Sequence, residues 1–155
     1  FDAFVSGLMA VATRIARMIA ADGEGATKLL EIAVTGAPDV MTARAVAKSV
    51  VMSSLFKAAM FGADANWGRI LCAIGYAEAE FDVSMIEVHL SSPAGKIQVC
   101  ADGNGVPFSE ETAKTILLEK EITVDINMHQ GSAAATAWGC DLTYDYVKIN
   151  GDYRT

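Results

Sequence analysis

From Phe4 onward the apolar residues fall at Phe4, Val5, Leu8, Met9, Ala12, Ile15, Ala16 and Ile19. This is the three- and four-residue spacing of a helical stripe. Val11 and Met18 add apolar surface on other faces, so the helix is expected to pack in protein on more than one side. Its stop is Asp22-Gly23, where glycine suits the C-terminal cap. Residues 28–35 then alternate loosely through Ile32, Val34 and Thr35 and predict a strand closed by Gly36-Ala37-Pro38. Asp39 suits the N-cap of a second helix, 40–52, with Ala43, Val46, Ala47, Val50 and Val51 on its apolar face. Residues 55–61 are a short apolar run that strand and helix both accommodate; strand is the reading taken. Gly62 to Asn66 is a turn, and 67–76 reads as a helix with Ile70, Leu71 and Ile74 inward and Asn66 as candidate cap.

After Ala77-Glu78-Ala79-Glu80 the texture changes. Residues 83–90 and 96–101 are rich in β-branched side chains and separated by the loop Ser91-Ser92-Pro93-Ala94-Gly95. Asp102-Gly103-Asn104-Gly105 is a turn, and Ser109 suits the cap of a helix through Leu118, with acids in its first turn. Residues 121–128 and 132–140 look like paired strands around His129-Gln130-Gly131, and 142–150 like a short helix before the tail Gly151 to Thr155. The pattern predicts an α/β fold of layered helices and sheet with a soft boundary near residue 78. Residues 1–78 form a helix–sheet part, and residues 79–155 a small α+β part of ββαββα order.

Composition narrows the class. At 155 residues, 52% hydrophobic and 20% charged, the chain reads as well-packed soluble protein. A net charge of −7 argues against nucleic-acid or anionic-membrane surfaces. Cys72, Cys100 and Cys140 are odd in number and widely spaced, which fits reduced thiols better than a disulfide framework. The longest apolar-rich segment, Phe1 to Ala21, is interrupted by Asp2, Arg14 and Arg17, so no membrane span is expected. Its basic residues follow the apolar ones, the wrong order for a signal peptide. An opening Phe in place of Met points to a fragment or processed product.

Asp22-Gly23-Glu24-Gly25-Ala26-Thr27-Lys28 holds one carboxylate between two glycines. A phosphate loop joins a strand to a helix N-terminus, with its Lys before the Ser or Thr. Here a helix runs into a strand and Lys28 follows Thr27. Phosphate binding is therefore excluded, and Glu24 is left either as a solvated loop charge or as a functional group. His89 and His129 have no metal-ligand spacing around them. Asp102-Gly103-Asn104-Gly105 lacks the downstream Glu of a calcium loop, and no Gly-x-Ser-x-Gly elbow occurs. Asn66-Trp67-Gly68-Arg69 reads as a packing device, with Arg69 satisfying carbonyls, ahead of a substrate wall. The dense Asp141 to Asn150 segment reads as docked on a structural seam or an active site, because chain ends fray unless tied down.

Together, Asp22-Gly-Glu-Gly-Ala-Thr-Lys28, Phe61-Gly-Ala-Asp-Ala-Asn-Trp-Gly-Arg-Ile70 and Cys140-Asp-Leu-Thr-Tyr-Asp-Tyr-Val-Lys-Ile-Asn150 resemble one family. It is the ornithine acetyltransferase (glutamate N-acetyltransferase) family of arginine biosynthesis, and the likeness runs over essentially the whole chain. Ala65 departs from the Pro usual before Asn-Trp-Gly-Arg, which affects local loop rigidity. Gly151 stands where relatives often have Ala.

The resemblance implies a precursor that cuts itself before a Thr to give α and β chains. That new N-terminal Thr carries the acetyl group from N-acetylornithine to glutamate. Some members also accept acetyl-CoA; no cofactor or metal is implied. The β chain of the family opens on the Thr, and this chain opens Phe1-Asp2-Ala3-Phe4. The resemblance thus implies the C-terminal portion of a β chain, with residues 1–78 completing the nucleophile domain and no nucleophile of its own. By matching motif positions it implies that Glu24, Asn150 and Thr155 hold substrate and converge in space. The implied partners are the α chain and the remaining β-chain segment in a cytoplasmic α2β2 assembly. A self-processing aminopeptidase or amidase of the same superfamily, and a non-catalytic assembly module, are the competing readings.

Overall fold

Alternation of buried and half-buried residues along Leu29–Ala37 makes this segment, β1, the strand from which the architecture is built. Leu30, Ile32 and Val34 are almost fully buried on one side, and Glu31 and Ala33 face the other. The computed structural model describes residues 1–152. Among them, α1 (Asp2–Ala21) precedes β1, and α2 (Val40–Met52), α3 (Ser54–Phe61) and α4 (Trp67–Gly75) follow it. Then come β2 (Glu87–Ser92), β3 (Gly95–Ala101), the two-residue β4 (Asn104–Gly105), α5 (Glu110–Leu117), β5 (Glu121–Asn127), β6 (Ala133–Cys140) and α6 (Tyr144–Asp152). The strands form one mixed sheet in the order β4-β3-β2-β5-β1-β6. The α/β class read from the pattern is the class observed, and the second half has the ββαββα order apart from β4 and a short 3-10 turn.

The expected pairing of β5 with β6 does not occur. β1 is inserted between them, parallel to β5 from Leu29↔Glu121 to Thr35↔Asn127 and antiparallel to β6 from Leu29↔Cys140 to Val34↔Ala135. The His129-Gln130-Gly131 loop therefore passes over the end of β1. Gln130 N–H donates to the Gly36 carbonyl at 2.7 Å, and Met128 N–H to the Thr35 carbonyl at 2.9 Å. The sheet also crosses the soft boundary near residue 78, because β1 comes from the first half and both its neighbours from the second.

Two further elements differ from expectation. Residues 55–61 are helix: Phe56, Ala59 and Met60 are buried at helical spacing, and Ser53 caps the helix by accepting Phe56 N–H at 3.3 Å. The strand expected from Val83 begins instead at Glu87, after a 3-10 turn (Val83–Met85) whose Ser84 N–H and hydroxyl donate to the Asp82 carboxylate. Asn66 caps α4 as read, accepting Arg69 N–H at 3.1 Å, and Arg69 Nη1 donates to the Leu55 carbonyl at 3.1 Å. Trp67 packs so closely on Gly105 that any β-carbon there would strike its ring.

Helix α2 lies over β1 and β6 on the apolar face, and α5 over β2 and β3. The opposite face is polar and half-buried: His129 Nε2 lies 3.0 Å from Glu87, and Lys96 Nζ 2.8 Å from Asp125. α1 rests on that second face through its later turns, and its orientation reverses the expectation from the stripe. Thr13, Ala16, Arg17 and Ala20 are the half-buried positions, whereas Phe4, Leu8, Ile15 and Ile19 are exposed. Small residues allow close approach to the sheet, and Arg17 anchors the contact with ion pairs to Glu31 and to Glu121, the latter at 2.8 Å. By length and composition alone α1 is long and apolar enough to cross a membrane, but here its later turns pack on the sheet through Arg17.

Gly36, at φ +65°, is the backbone position on which the β1 crossing turns. A β-carbon there would collide with the Asn127 side-chain oxygen and lie 2.9 Å from His129 N. Gly36→Ala should cost about 1–3 kcal/mol of stability. Urea unfolding checks this, with exposed Thr35→Ala as a control expected to move stability by about 0.5 kcal/mol or less. Equal effects of the two would remove the role given to Gly36.

Candidate functional site

The glycine-flanked loop begins where α1 ends: Asp22 N–H donates to Met18 O at 3.1 Å, and Ala26 N–H turns back to Gly23 O at 3.0 Å. The turn leaves Glu24 exposed at its tip. The loop then enters β1 at Leu29, which pairs with Cys140, so Lys28 and Asp141 are the next residues outward on neighbouring strands. Asp141 is 3% exposed, and its carboxylate meets three donors on the loop. Oδ1 accepts Thr27 N–H at 2.8 Å and Lys28 N–H at 3.0 Å, and Oδ2 accepts the Thr27 hydroxyl. Asp141 N–H in turn donates to Lys28 O at 3.3 Å.

A second set of contacts ties the loop to α6. The Thr143 hydroxyl donates to Gly25 O at 2.7 Å and accepts Tyr146 N–H at 3.3 Å, as a helix cap does. Gly25 has φ +66°, and a β-carbon there would lie 2.9 Å from both Asp145 Cβ and Tyr146 N. Position 25 therefore requires glycine both for its backbone conformation and for the approach of α6. On its other side α6 is held by an edge-to-face contact of Tyr144 with Phe61, ring centres 5.5 Å apart.

This docking brings Asn150 beside Glu24 across 126 residues of sequence: Asn150 Nδ2 donates to Glu24 Oε2 at 2.9 Å. The same amide nitrogen donates to Tyr146 O at 2.9 Å, so both its hydrogens are used. Among the described residues, Glu24 Oε1 and Asn150 Oδ1 carry no hydrogen bond, and both side chains are exposed. The pair presents two acceptors, one of them anionic, and suits a ligand with several donors on a cationic centre. Thr155, the third expected site residue, lies outside the described residues.

Sequence reasoning quoted Lys28, Asp141 and Thr143 within motifs but assigned none of them a role. A Thr just before a helix is a capping signal that would have flagged Thr143, whereas the donors to Asp141 lie on the distant 27–28 segment and leave no local signal. Lys28 is buried at the base of the loop, its Nζ 2.5 Å from Met60 O and 3.5 Å from Phe61 O. Burial pushes the Lys28 ammonium below its ordinary value, and the Asp141 charge opposes that shift. A separate groove of about 860 Å³ runs between α2 and the end of α4, lined by Arg44, Lys48, Met52 and Tyr76 among others; it includes neither Glu24 nor Asn150. Among the described residues no group of three or more His, Cys, Asp or Glu side chains is arranged to hold a metal ion.

Comparison with known proteins gives a match to the model of the ArgJ family over residues 1–155. The chain is 51% identical over 155 residues to the arginine biosynthesis bifunctional protein ArgJ 1 of Clostridium acetobutylicum, all of this chain and 38% of that protein. It is 52% identical over the same length to the arginine biosynthesis bifunctional protein ArgJ of Caldanaerobacter subterraneus, again 38% of that protein. The crystal structure of the arginine biosynthesis bifunctional protein ArgJ from Bacillus halodurans superposes with a TM-score of 0.91 at 45% identity, covering 98% of this chain and 70% of that one. The chain thus spans a little over a third of the length of the curated relatives it matches. The matches establish family and extent; the expected position in the C-terminal part of a β chain is not borne out by them.

The buried ammonium gives a pH signature. Folded Lys28 titrates below its unfolded value of 10.5, so between the two values the unfolded chain holds the extra proton. The contribution of this group to stability therefore rises as pH climbs through that window. Against Lys28→Met, the wild type should gain stability as pH is raised from below toward 10.5. The readout is the difference in urea midpoint between the two proteins, and a difference that stays flat or falls with pH contradicts the assignment.

Proposed function

The chain belongs to the ArgJ family, and from that premise we propose that it is the substrate-holding part of an acetyltransferase of arginine biosynthesis. In this reading the enzyme moves an acetyl group from N-acetylornithine to glutamate through an acetyl-Thr intermediate, and the Thr lies on a part of the protein outside these 155 residues. The Thr oxygen bonds the acyl carbon, the C–N bond to ornithine breaks, and the ornithine amine leaves with a proton. The glutamate amine then takes the acyl group and restores the hydroxyl. Acetyl-CoA serves as an alternative acetyl donor, and the reading needs no cofactor.

The observation that carries the proposal is the Asn150–Glu24 hydrogen bond of 2.9 Å with its two outward acceptors. N-acetylornithine keeps one free ammonium, on the δ carbon, and an ammonium has three donors and no acceptor. Glu24 Oε1 and Asn150 Oδ1 take two of those donors, and the carboxylate matches the charge. Asn150 fixes the carboxylate so that little side-chain entropy is lost on binding. Glu24 orients and does not attack. Thr155 remains the third proposed holder, its hydroxyl suited to the substrate carboxylate.

The partners in this reading are the rest of the same protein, with a second copy completing an α2β2 assembly in the cytoplasm. The exposed stripe Phe4, Leu8, Ile15 and Ile19 on α1 supports a partner within the protein, since so large an apolar surface is seldom left open to water.

In the full-length enzyme, Glu24→Gln keeps the shape and removes the charge. A charge-assisted bond to an ammonium is worth about 1.5–3 kcal/mol, so kcat/KM for N-acetylornithine should fall about tenfold to a hundredfold. Unchanged kinetics would reduce Glu24 to a loop charge. The product assayed in the presence of glutamate separates the competing reading, with N-acetylglutamate marking the transferase and free acetate a hydrolase.

A further inference from the structure

We propose that Asp141, with Thr143, is a positioning residue that sets the register of Glu24 against Asn150 by clamping the 22–28 loop to the start of α6. The inference rests on the substrate-holding reading of that pair. Glu24 and Asn150 are both exposed, and a single exposed hydrogen bond between them is too weak to align the loop with α6 by itself. Their alignment must come from underneath. The Asp141 carboxylate, buried where β6 gives way to α6, spends its hydrogen bonds on Thr27 and Lys28, three and four residues beyond Glu24. Thr143 takes the carbonyl of Gly25, the residue immediately after Glu24, and with the same hydroxyl caps α6 at Tyr146. Gly25 closes the contact by letting the Asp145–Tyr146 backbone come within van der Waals distance.

The chemistry requires an acceptor-only group. Two backbone N–H groups and a hydroxyl converge on one buried side chain, and a carboxylate is the side chain that accepts from all of them without offering a competing donor. Removal leaves those donors unpaired and the loop free to shift relative to α6. A displacement of about 1 Å between groups that hold a substrate costs on the order of a hundredfold in rate. The nearby Lys28 ammonium, directed at Met60 O, draws on the same carboxylate for charge.

The test is a double-mutant cycle in the full-length enzyme. Asp141→Ala alone should lower kcat/KM for N-acetylornithine about tenfold to a hundredfold, mostly through KM. Asp141→Asn, which keeps one oxygen toward the two amides but turns an amide donor toward the Thr27 hydroxyl, should recover only part of that loss. The deciding variant is the double substitution with Glu24→Gln: if Asp141 acts through Glu24, it should lie within about threefold of Glu24→Gln alone. Multiplicative losses, or a wild-type KM in Asp141→Ala, overturn the proposal. Should Asp141→Ala fail to accumulate, Thr143→Val enters the same cycle with the same expected non-additivity.

A readout without an assay keeps the two readings apart. Backbone hydrogen exchange over residues 144–152 should quicken in Asp141→Ala and stay unchanged in Glu24→Gln. Quickened exchange with a wild type that transfers no acetyl group would sustain the clamp and sink the enzyme reading. Unchanged exchange in Asp141→Ala would sink the clamp whatever the activity.

Discussion

Strand β1 is hydrogen-bonded along both of its edges, to β5 in parallel and to β6 antiparallel. A central strand of this kind has nearly all its backbone groups paired, so its register cannot slip without turning every side chain to the wrong face. The site follows from that register. Because Leu29 faces Cys140, the loop before β1 and the segment after β6 leave the same end of the sheet side by side. Glu24 and Asn150 then need only a turn and a short helix to meet.

The charges at that end are sorted by exposure. Glu24 lies in solvent, where a carboxylate costs little, and Asp141 is buried, where it is tolerated because three donors surround it. Lys28 is buried beside it, with carbonyl acceptors at its nitrogen but a burial cost that its neighbour only partly offsets. The buried pair belongs to the frame, and the exposed pair is available to a ligand. Such a division is expected where a flexible tip must be held to a fraction of an ångström by its base.

The two faces of the sheet differ for a related reason. One face is sealed by α2 and α5 over buried Leu, Ile and Val side chains. The other carries ionic and hydrogen-bonding groups and only the later turns of α1, which approaches on its small residues and leaves its apolar stripe outward. The chain spans 38% of the length of the relatives it matches.

The sequence by itself determined most local structure, because its causes are local. Asp39, Asn66 and Ser109 cap helices as read, glycines mark the turns, and apolar spacing located α1, α2 and α4. It failed at residues 55–61, where a short apolar run satisfies either period and only packing of Phe56, Ala59 and Met60 decides. It paired β5 with β6, since adjacent segments joined by a turn look like a hairpin and an intervening strand leaves no trace in the turn. It read the stripe of α1 as a buried face, although which face of a helix meets a sheet depends on what else is present to cover it. The three motifs named Glu24 and Asn150, but their separation of 126 residues is closed by the sheet alone. Asp141 went unassigned for the same reason: a carboxylate acquires its role from the donors around it, and those donors are brought together only when β1 enters between β5 and β6.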